Sequence, residues 1–494
     1  MNPTLNEILS GGQRKEYRRL PVWRSLYSDA FTTIEIMRKL RSAGKHCFLL
    51  ESAGLDETWG RYSFLGYEPV MEITCEDGNV NIHTKNDDGT YSDEERRVAH
   101  PGEVLREILS EYKSPVVPEL PPFTGGLVGY FSYDYIKYSE PKLSLSADTD
   151  FKDMDLMLFN EVIAFDHYRQ RVYLISGIRT EKIEEDYMRA AEKLCEMEEL
   201  IRNGKPAAFP PLKLNEPLSP RFSQEKYCEM VERAKAYIYD GDIFQVVLSN
   251  PLRAKAEGSL FDTYRVLRAG NPSPYMFYFS SDDIELAGAS PETLVKLEDG
   301  RLFTYPLAGT RPRGEDKAQD DALVEELLSD EKERSEHNML VDLGRNDIGR
   351  VSKIGTVNVE KYMDILKFSH VMHIGSTVTG QIRPDKDAVD AVDAILPAGT
   401  LSGAPKFRAC QIIEELEQSR RGIYGGAVGY LDLAGNLDIC IAIRLVYKKN
   451  NEITVRSGAG IVADSVPENE FRECLNKARA VTLAIETAEG GLDK

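Results

Sequence analysis

The order of short apolar runs and turn residues constrains the fold of this chain more than any other feature. Asp77-Gly78 separates two alternating runs at residues 70–75 and 80–83, which is the pattern of a β-hairpin. A second pair of runs, at 162–166 and 172–175, is spaced to pair in the same way. Helical patterns lie between such runs without a regular strand–helix–strand rhythm. The sequence therefore predicts an α+β fold with largely antiparallel sheets.

Composition along the chain predicts two structural units. The first covers residues 28–175, and the second covers residues 223–488. Between them, residues 203–222 carry five prolines and show neither helical nor strand periodicity. We interpret this stretch as a linker. A chain of 494 residues is long enough for two domains or for one large composite domain.

Charge and cysteine usage exclude several classes of partner. The formal net charge is −20, which disfavours binding to nucleic acid or to anionic membranes. No apolar run reaches the roughly 18 residues that suggest a membrane span. Seven scattered cysteines without a CxxC pair indicate the reducing cytoplasm, and they argue against both a disulfide framework and a zinc site. A small anionic substrate would need local positive charge.

A stretch near the C-terminus combines features of an anion and metal site. Residues 457–460 read Ser-Gly-Ala-Gly after a strand at 452–456, and we interpret them as a turn whose backbone N–H groups hold an anion. Glu470, Glu473 and Lys477 follow with helical spacing, which places them on one helix face. The same spacing is typical of a solvated helix face, so both interpretations stay open.

Two further patterns suggest charged groups in a pocket. Glu333 and Glu336 repeat the i, i+3 spacing of carboxylates, and Mg²⁺ prefers such oxygen ligands. In the apolar run 439–447, the alternation predicts one strand with Arg444 on its second face beside small side chains. An arginine there can hold a carboxylate through two hydrogen bonds. A solvent-exposed helix face would also explain the glutamate spacing, and a solvent-exposed strand face would also explain Arg444.

Several long motifs, in one order, resemble the chorismate-utilising enzymes, and among them the large subunits (component I) of anthranilate synthases. The resemblance covers nearly the whole chain and implies a composite two-unit α/β sandwich. The motifs that carry it are Leu-Leu-Glu-Ser at 49–52, Pro-Leu-Ala-Gly-Thr-Arg-Pro-Arg-Gly at 306–314, residues 333–347, Leu-Ser-Gly-Ala-Pro-Lys at 401–406, Gly-Ile-Tyr-Gly-Gly at 422–426 and Ser-Gly-Ala-Gly at 457–460.

Two positions bear on which reaction the resemblance implies. Family members that add water to chorismate have a lysine base where this chain has Gln245. Aminodeoxychorismate synthases have a nucleophilic lysine where this chain has Ala308. The resemblance therefore implies attack by ammonia to give anthranilate and pyruvate. Aminodeoxychorismate synthase and a non-catalytic tryptophan-sensing relative are the alternatives.

The resemblance also implies partners. No cysteine lies in a Gly-x-Cys-x-Gly elbow, so the chain lacks its own glutaminase nucleophile. A separate glutamine amidotransferase subunit, anthranilate synthase component II, would deliver ammonia within a heterotetramer.

Site residues are likewise implied by the resemblance. Glu336 and Glu473 would bind Mg²⁺, with Glu333 and Glu470 behind them. Glu292 would be the general acid, with His373 and Thr400 near the departing enolpyruvyl group. Chorismate would be held by Gly309, Thr310, Tyr424, Arg444, Gly458, Ala459, Gly460 and Lys477.

The unit at 28–175 would be regulatory. Family members bind tryptophan as a feedback inhibitor between the Leu-Leu-Glu-Ser stretch and a second segment, which here begins at Asn271. The residues expected at this site are Ser52, Pro274, Tyr275 and Met276.

Overall fold

The structure is a computed structural model that describes residues 1–53, 60–145, 151–367 and 371–492. Within these ranges the strands are β1 Arg19–Tyr27, β2 Cys47–Glu51, β3 Tyr62–Tyr67, β4 Met71–Glu76, β5 Asn79–Lys85, β6 Tyr91–Arg97, β7 Gly126–Phe131, β8 Met154–Phe159, β9 Glu161–Asp166, β10 Arg171–Arg179, β11 Lys213–Leu214, β12 Ser219–Pro220, β13 Gln245–Glu257, β14 Tyr275–Ser280, β15 Ile284–Ser290, β16 Thr293–Glu298, β17 Arg301–Thr304, β18 Leu307–Pro312, β19 Asn358–Lys367, β20 Val371–Gln381, β21 Gly403–Ala404, β22 Ala427–Asp432, β23 Leu437–Ile441, β24 Leu445–Lys449 and β25 Glu452–Ile461.

The helices of the same ranges lie between these strands. They are α1 Leu5–Ser10, α2 Thr33–Ala43, α3 Gly102–Glu111, α4 Ile136–Ser139, α5 Ile183–Asn203, α6 Gln224–Tyr239, α7 Phe261–Gly270, α8 Lys317–Ser329, α9 Glu331–Gly349, α10 Ala388–Ile395, α11 Lys406–Glu417 and α12 Pro467–Ala488.

Two large sheets organise the described chain. The first has the order β1-β10-β9-β3-β2-β14-β15-β24-β25-β13-β11, and the short strands β12 and β21 also pair with β13. The second has the order β18-β20-β17-β16-β23-β22-β7-β8-β4-β5-β6, and β19 also pairs with β20. The registers of the strand pairs are antiparallel, including the hairpin of β4 and β5 and the pair of β9 and β10. The prediction of an α+β fold with antiparallel sheets is confirmed.

The sheets face each other across an aromatic core, and helices cover their outer faces. In β2, Phe48 points into the layer between the sheets, whereas Leu49 points toward the helices on the other side. The Phe48 ring meets Phe159 of the second sheet edge to face, with ring centroids 4.7 Å apart. Such aromatic pairs contribute about 0.5–1.5 kcal/mol beyond their buried area. Alternate residues of β2 thus pack on opposite faces of the first sheet, and those that face the second sheet stabilise the contact between the two sheets.

Strands from both sequence-defined units share each sheet. β2 pairs with β14 in the first sheet, and β7 pairs with β22 in the second. Residues 203–222 lie against the first sheet, since β11 and β12 pair with β13 and Leu212 is fully buried. The ranges 28–175, 203–222 and 223–488 therefore divide the sequence, but they do not correspond to separate sheets.

The structure corrects three predictions of local structure. The pattern of residues 320–344 predicts one long helical region. The structure has two helices there, because the Asp330 side chain accepts hydrogen bonds from the backbone N–H of Lys332 and Glu333 and starts α9. The run 439–447 is two strands, since β23 belongs to the second sheet and β24 to the first. The chain changes sheets between them.

The third correction concerns Ser457–Gly460, which is strand rather than turn. β25 continues to Ile461 because its pairing with β13 extends that far. The glycines serve close approach: a Cβ atom at Gly458 would lie 2.6 Å from the Leu248 carbonyl oxygen. At Gly460 it would lie 2.7 Å from Gln245 Nε2.

Candidate active site

A buried carboxyl group lies in the connection between β15 and β16. Glu292 follows the last residue pair of β15, and Thr400, in a short 3-10 turn, donates a hydrogen bond of 3.2 Å to its Oε1. Burial raises the pKa of Glu292 to about 7, although Thr400 and the nearby Lys477 ammonium each oppose the rise. A carboxyl group with this pKa can donate a proton near neutral pH.

His373 forms a second group with the Gly309-Thr310 segment. Its Nδ1 lies 2.9 Å from the Gly309 carbonyl oxygen and 3.1 Å from Thr310 Oγ1. A carbonyl oxygen only accepts, so Nδ1 carries the proton and the neutral ring keeps its lone pair on Nε2. Burial lowers the pKa of His373, and the Arg444 charge adds to this effect. The imidazole is therefore neutral at pH 7.

Gly309 has a positive φ of 64°, at an irregularity in the pairing of β18 with β20. A Cβ atom there would lie 2.8 Å from Leu327 and 3.2 Å from a carboxylate oxygen of Glu333. The glycine thus lets the β18 backbone approach the first turn of α9. This approach brings the His373 group beside the carboxylates of α9.

Carboxylates on α9 and α12 influence one another. Burial raises the pKa of Glu336, and the charges of Glu333 and Glu473 add to the rise. Burial also raises the pKa of Glu470, and Glu473 again contributes. Lys477 Nζ lies 2.7 Å from Glu473 Oε1 and opposes both shifts. The expected helix faces therefore meet, with more negative than positive charge between them.

This donor set fits Mg²⁺ in its chemistry. Carboxylate oxygens are the ligands that Mg²⁺ prefers. A divalent cation would relieve the repulsion between the carboxylates, which adds to the effect of burial in raising the pKa of Glu336 and Glu470. Among the described residues, these carboxylates are not drawn together as three ligand atoms within 4.8 Å.

The edge of β25 carries backbone donors beside a tyrosine. The N–H groups of Val247 and Ser249 in β13 donate to Ser402 and Glu417, away from β25. In antiparallel pairing, their partners Gly458 and Gly460 then direct their own N–H groups away from β13. Ala459, between them, pairs its backbone with β13. The Tyr424 hydroxyl lies 2.9 Å from the position of a Cβ at Gly458.

Arg444 lies where the chain passes from β23 to β24, with a positive φ of 53°. The prediction of a strand residue on an alternating face is wrong, because residues 442–444 belong to neither sheet. Its guanidinium donates a hydrogen bond of 2.7 Å to the Lys477 carbonyl oxygen. Burial lowers the pKa of Arg444 from its ordinary value. The side chain is thus fixed beside α12.

A buried ion network behind the site was missed by sequence reasoning. Glu417 accepts hydrogen bonds from Arg421, from Arg456 and from the backbone N–H and hydroxyl of Ser249. Arg421 also donates to the carbonyl oxygen of Leu401, next to Thr400. The i, i+4 spacing of Glu417 and Arg421 and the charged Arg456 in an apolar strand were the available signals.

A separate cavity of about 300 Å³ lies between the sheets. All four residues expected at the regulatory site line it: Ser52, Pro274, Tyr275 and Met276. The Ser52 hydroxyl is buried and has no hydrogen-bond partner among the described residues. Tyr275 donates a hydrogen bond of 2.7 Å to Asp438. Met276 is only 1% exposed and packs in the outer core of the first sheet.

The chain is similar in sequence to known proteins over nearly its whole length. The family of chorismate binding enzymes matches residues 45–483. The chain is 44% identical to anthranilate synthase component 1 from Acetivibrio thermocellus, covering 98% of this chain and 99% of that protein. It is 43% identical to the Aquifex aeolicus protein of the same name, with 99% of both chains covered.

Solved structures of similar proteins have the same fold. Anthranilate synthase component I from Streptococcus pneumoniae superimposes with a TM-score of 0.75 at 38% identity, covering 92% of this chain and 99% of that chain. The menaquinone-specific isochorismate synthase from Escherichia coli shares the fold, with a TM-score of 0.68 at 20% identity over 97% of this chain and 98% of that chain.

The chain belongs to the family of chorismate binding enzymes. Within that family, the relatives it matches over nearly full length are component 1 proteins of anthranilate synthase. The described residues include no helix long and apolar enough to cross a membrane.

Proposed function

We propose that this protein converts chorismate and ammonia to anthranilate and pyruvate, the first committed step of tryptophan biosynthesis. The observation that carries the proposal is Glu292, a carboxyl group with a pKa of about 7 that accepts from Thr400 and faces the Lys477 charge. The likeness to anthranilate synthase component 1 over nearly the whole chain supports the same reaction.

Chorismate is a dianion, so the negatively charged protein must supply local positive charge. In this proposal, Arg444 and the N–H groups of Gly458 and Gly460 bind one carboxylate, with the Tyr424 hydroxyl beside them. Lys477 and the Gly309-Thr310 segment complete the substrate site, and Ala459 contributes its small side chain. The arginine has its side chain already fixed by the Lys477 carbonyl, which lowers the entropic cost of binding.

Mg²⁺, when bound by Glu336 and Glu473 with Glu333 and Glu470 behind them, supplies charge neutralisation and Lewis acidity. Ammonia forms a bond to ring carbon two, and the hydroxyl at carbon four departs. Glu292 donates the proton that lets it leave as water. The Glu292 carboxylate is stabilised by the hydrogen bond from Thr400. The bond between the ring and the enolpyruvyl oxygen then breaks as the proton on ring carbon two is lost, which aromatises the ring. The enolpyruvyl methylene carbon takes up a proton, so the leaving group is released as pyruvate.

His373 is proposed to act near the departing enolpyruvyl group. Its Nδ1 proton is held by the Gly309 carbonyl oxygen, so Nε2 is the nitrogen that can accept a proton or a hydrogen bond. The imidazole orientation is fixed by this contact, and burial keeps the ring neutral.

Ammonia is proposed to come from a separate glutamine amidotransferase subunit in a heterotetramer, because no cysteine of the chain has the sequence context of a glutaminase nucleophile. All seven cysteines are free, which supports a cytoplasmic location. Residues 28–175 act as the regulatory region, residues 203–222 as the linker and residues 223–488 as the catalytic region in this proposal.

Tryptophan is proposed to inhibit by binding the cavity lined by Ser52, Pro274, Tyr275 and Met276. The volume of about 300 Å³ suits a ligand of this size. The Ser52 hydroxyl, which has no hydrogen-bond partner among the described residues, offers a polar contact. The cavity takes residues from β2 and β14, which belong to different sequence units. A ligand there can therefore affect the placement of both.

Chorismate, ammonium salt and Mg²⁺ provide the test, with anthranilate fluorescence and pyruvate as readouts. We expect both products, dependence on Mg²⁺ and inhibition by tryptophan. An aminodeoxychorismate product would favour the alternative synthase, although Ala308 lacks the nucleophilic amine for it. Tryptophan binding without turnover would identify a non-catalytic sensor.

A further inference from the structure

A second cluster of metal-ligand side chains lies far along the strands from the proposed active site. His46 precedes β2, Glu72 lies in β4, and Asp282 lies in the turn between β14 and β15. Their ligand atoms all lie within 4.8 Å of one another. The three residues come from both sheets, since β2, β14 and β15 belong to the first and β4 to the second.

The distances within this cluster match a tetrahedral ion. His46 Nε2 lies 3.2 Å from Glu72 Oε2 and 3.3 Å from Asp282 Oδ1. Zinc lies about 2.0–2.2 Å from nitrogen and oxygen ligands, and the edge of such a tetrahedron is about 3.3 Å. His46 Nε2 has no hydrogen-bond partner among the described residues, although both carboxylates lie this close. The carboxylate oxygens thus lie off the axis of the ring nitrogen, as two ligands sharing an ion with it would.

Charge and burial favour a cation at the same place. Glu72 is 7% exposed, and its Oε1 has no hydrogen-bond partner in the described chain. The fully buried Asp155 lies next to it, also with one unpartnered oxygen.

Acidic side chains outnumber basic ones around this cluster. Lys152 contacts Glu72, Asp155 and Asp283, and Lys449 contacts Asp283. The acidic side chains Glu72, Asp155, Asp282 and Asp283 thus outnumber the two ammonium groups around the cluster. A cation between Glu72 and Asp282 would reduce this excess.

We propose that His46, Glu72 and Asp282 form a structural zinc-type site that links the two sheets. One imidazole and two carboxylates favour Zn²⁺ over Mg²⁺, which prefers oxygen ligands only. A water molecule would complete four-coordination. The absence of a CxxC pair disfavours a zinc site built from cysteines, whereas these ligands are a histidine and two carboxylates.

The test uses the full-length protein, freed of metal with a chelator and titrated with Zn²⁺, Mn²⁺ or Mg²⁺ by calorimetry at pH 7.5. His46→Gln is the main variant. His83→Gln is its control, because His83 also lies 2.6 Å from a carboxylate, that of Asp93. His83 lies on β5, and no third ligand atom joins this pair in the described part of the chain. We expect the wild type and His83→Gln to bind one more equivalent of Zn²⁺ than His46→Gln.

Asp282→Asn provides a second variant, since its side chain is 70% exposed on a turn and its replacement leaves the core intact. It should weaken Zn²⁺ binding by more than the roughly 10–100-fold that changes outside the ligand set cause. It should also lose the rise in melting temperature that Zn²⁺ gives the wild type. Anomalous diffraction at the zinc edge should place the ion between the three side chains.

Equal zinc stoichiometry in the wild type, His46→Gln and Asp282→Asn would overturn the proposal. So would a stability that responds to pH at this cluster and not to Zn²⁺, since His46 would then act as a proton-binding partner of the two carboxylates.

Discussion

Replacing Thr400 by valine tests the role of Glu292 through its acidity rather than through its loss. The Thr400 hydroxyl donates to Glu292 Oε1 at 3.2 Å and thereby opposes the burial that raises the carboxyl pKa to about 7. A hydrogen bond to a charged group contributes about 1.5–3 kcal/mol, and one pKa unit equals about 1.36 kcal/mol. The bond is long for a hydroxyl donor, so the lower end applies. We expect the pKa of Glu292 to rise by about 1 unit in Thr400→Val.

The direction of the expected pH dependence follows from the role of Glu292 as a proton donor. Glu292 donates only when protonated, so wild-type activity should fall as pH rises through about 7. In Thr400→Val this alkaline limb should move about 1 pH unit higher. Turnover would be measured by anthranilate fluorescence from pH 6 to 9, with the free ammonia concentration held constant. Thr310→Val is the control, because Thr310 contacts His373 and not Glu292. An unchanged limb in Thr400→Val, or an equal shift in the control, would refute Glu292 as the acid.

Substitutions elsewhere in the proposed sites give further expectations. Glu336→Gln or Glu473→Gln should abolish turnover and weaken the Mg²⁺ dependence while circular dichroism stays unchanged, since glutamine keeps helix propensity; normal turnover at low Mg²⁺ would count against the metal assignment. Arg444→Lys should raise the KM for chorismate about 10–100-fold, because lysine lacks the planar fork worth about 1.5–3 kcal/mol; an unchanged KM would argue against carboxylate binding there. Ser52→Phe should fill the cavity and abolish tryptophan inhibition with uninhibited turnover retained, and retained inhibition would refute this site. A charge at Met276, 1% exposed, should instead unfold the protein, which thermal denaturation would detect.

Sequence periodicity predicted the elements better than the contacts between them. The i, i+3 and i+7 spacing of Glu470, Glu473 and Lys477 placed them on one face of what is helix α12. The local pattern predicts a helix over 224–239 and a strand over 275–280, and helix α6 and strand β14 have these bounds. Local patterns contain this information directly.

Contacts that depend on distant segments were beyond sequence reasoning. Thr400 and Glu292 are 108 residues apart, and only the resemblance to known enzymes brought them into one proposal. The break at Arg444 depends on the chain changing sheets, which an apolar alternation cannot reveal. The glycines of β25 are typical of a turn in the sequence. In the structure they allow close packing against β13 and Tyr424, and the sequence of one strand does not contain that information.

The central claim, that ammonia is the nucleophile, is tested most directly with ¹⁵N-labelled ammonium. Gln245 and Ala308 occupy the two positions where a lysine would direct other reactions in the resembled families. The purified protein, given chorismate, Mg²⁺ and labelled ammonium, should yield anthranilate that carries the label, with one pyruvate formed for each anthranilate. Isochorismate or labelled aminodeoxychorismate as the accumulating product, without pyruvate, would contradict the account.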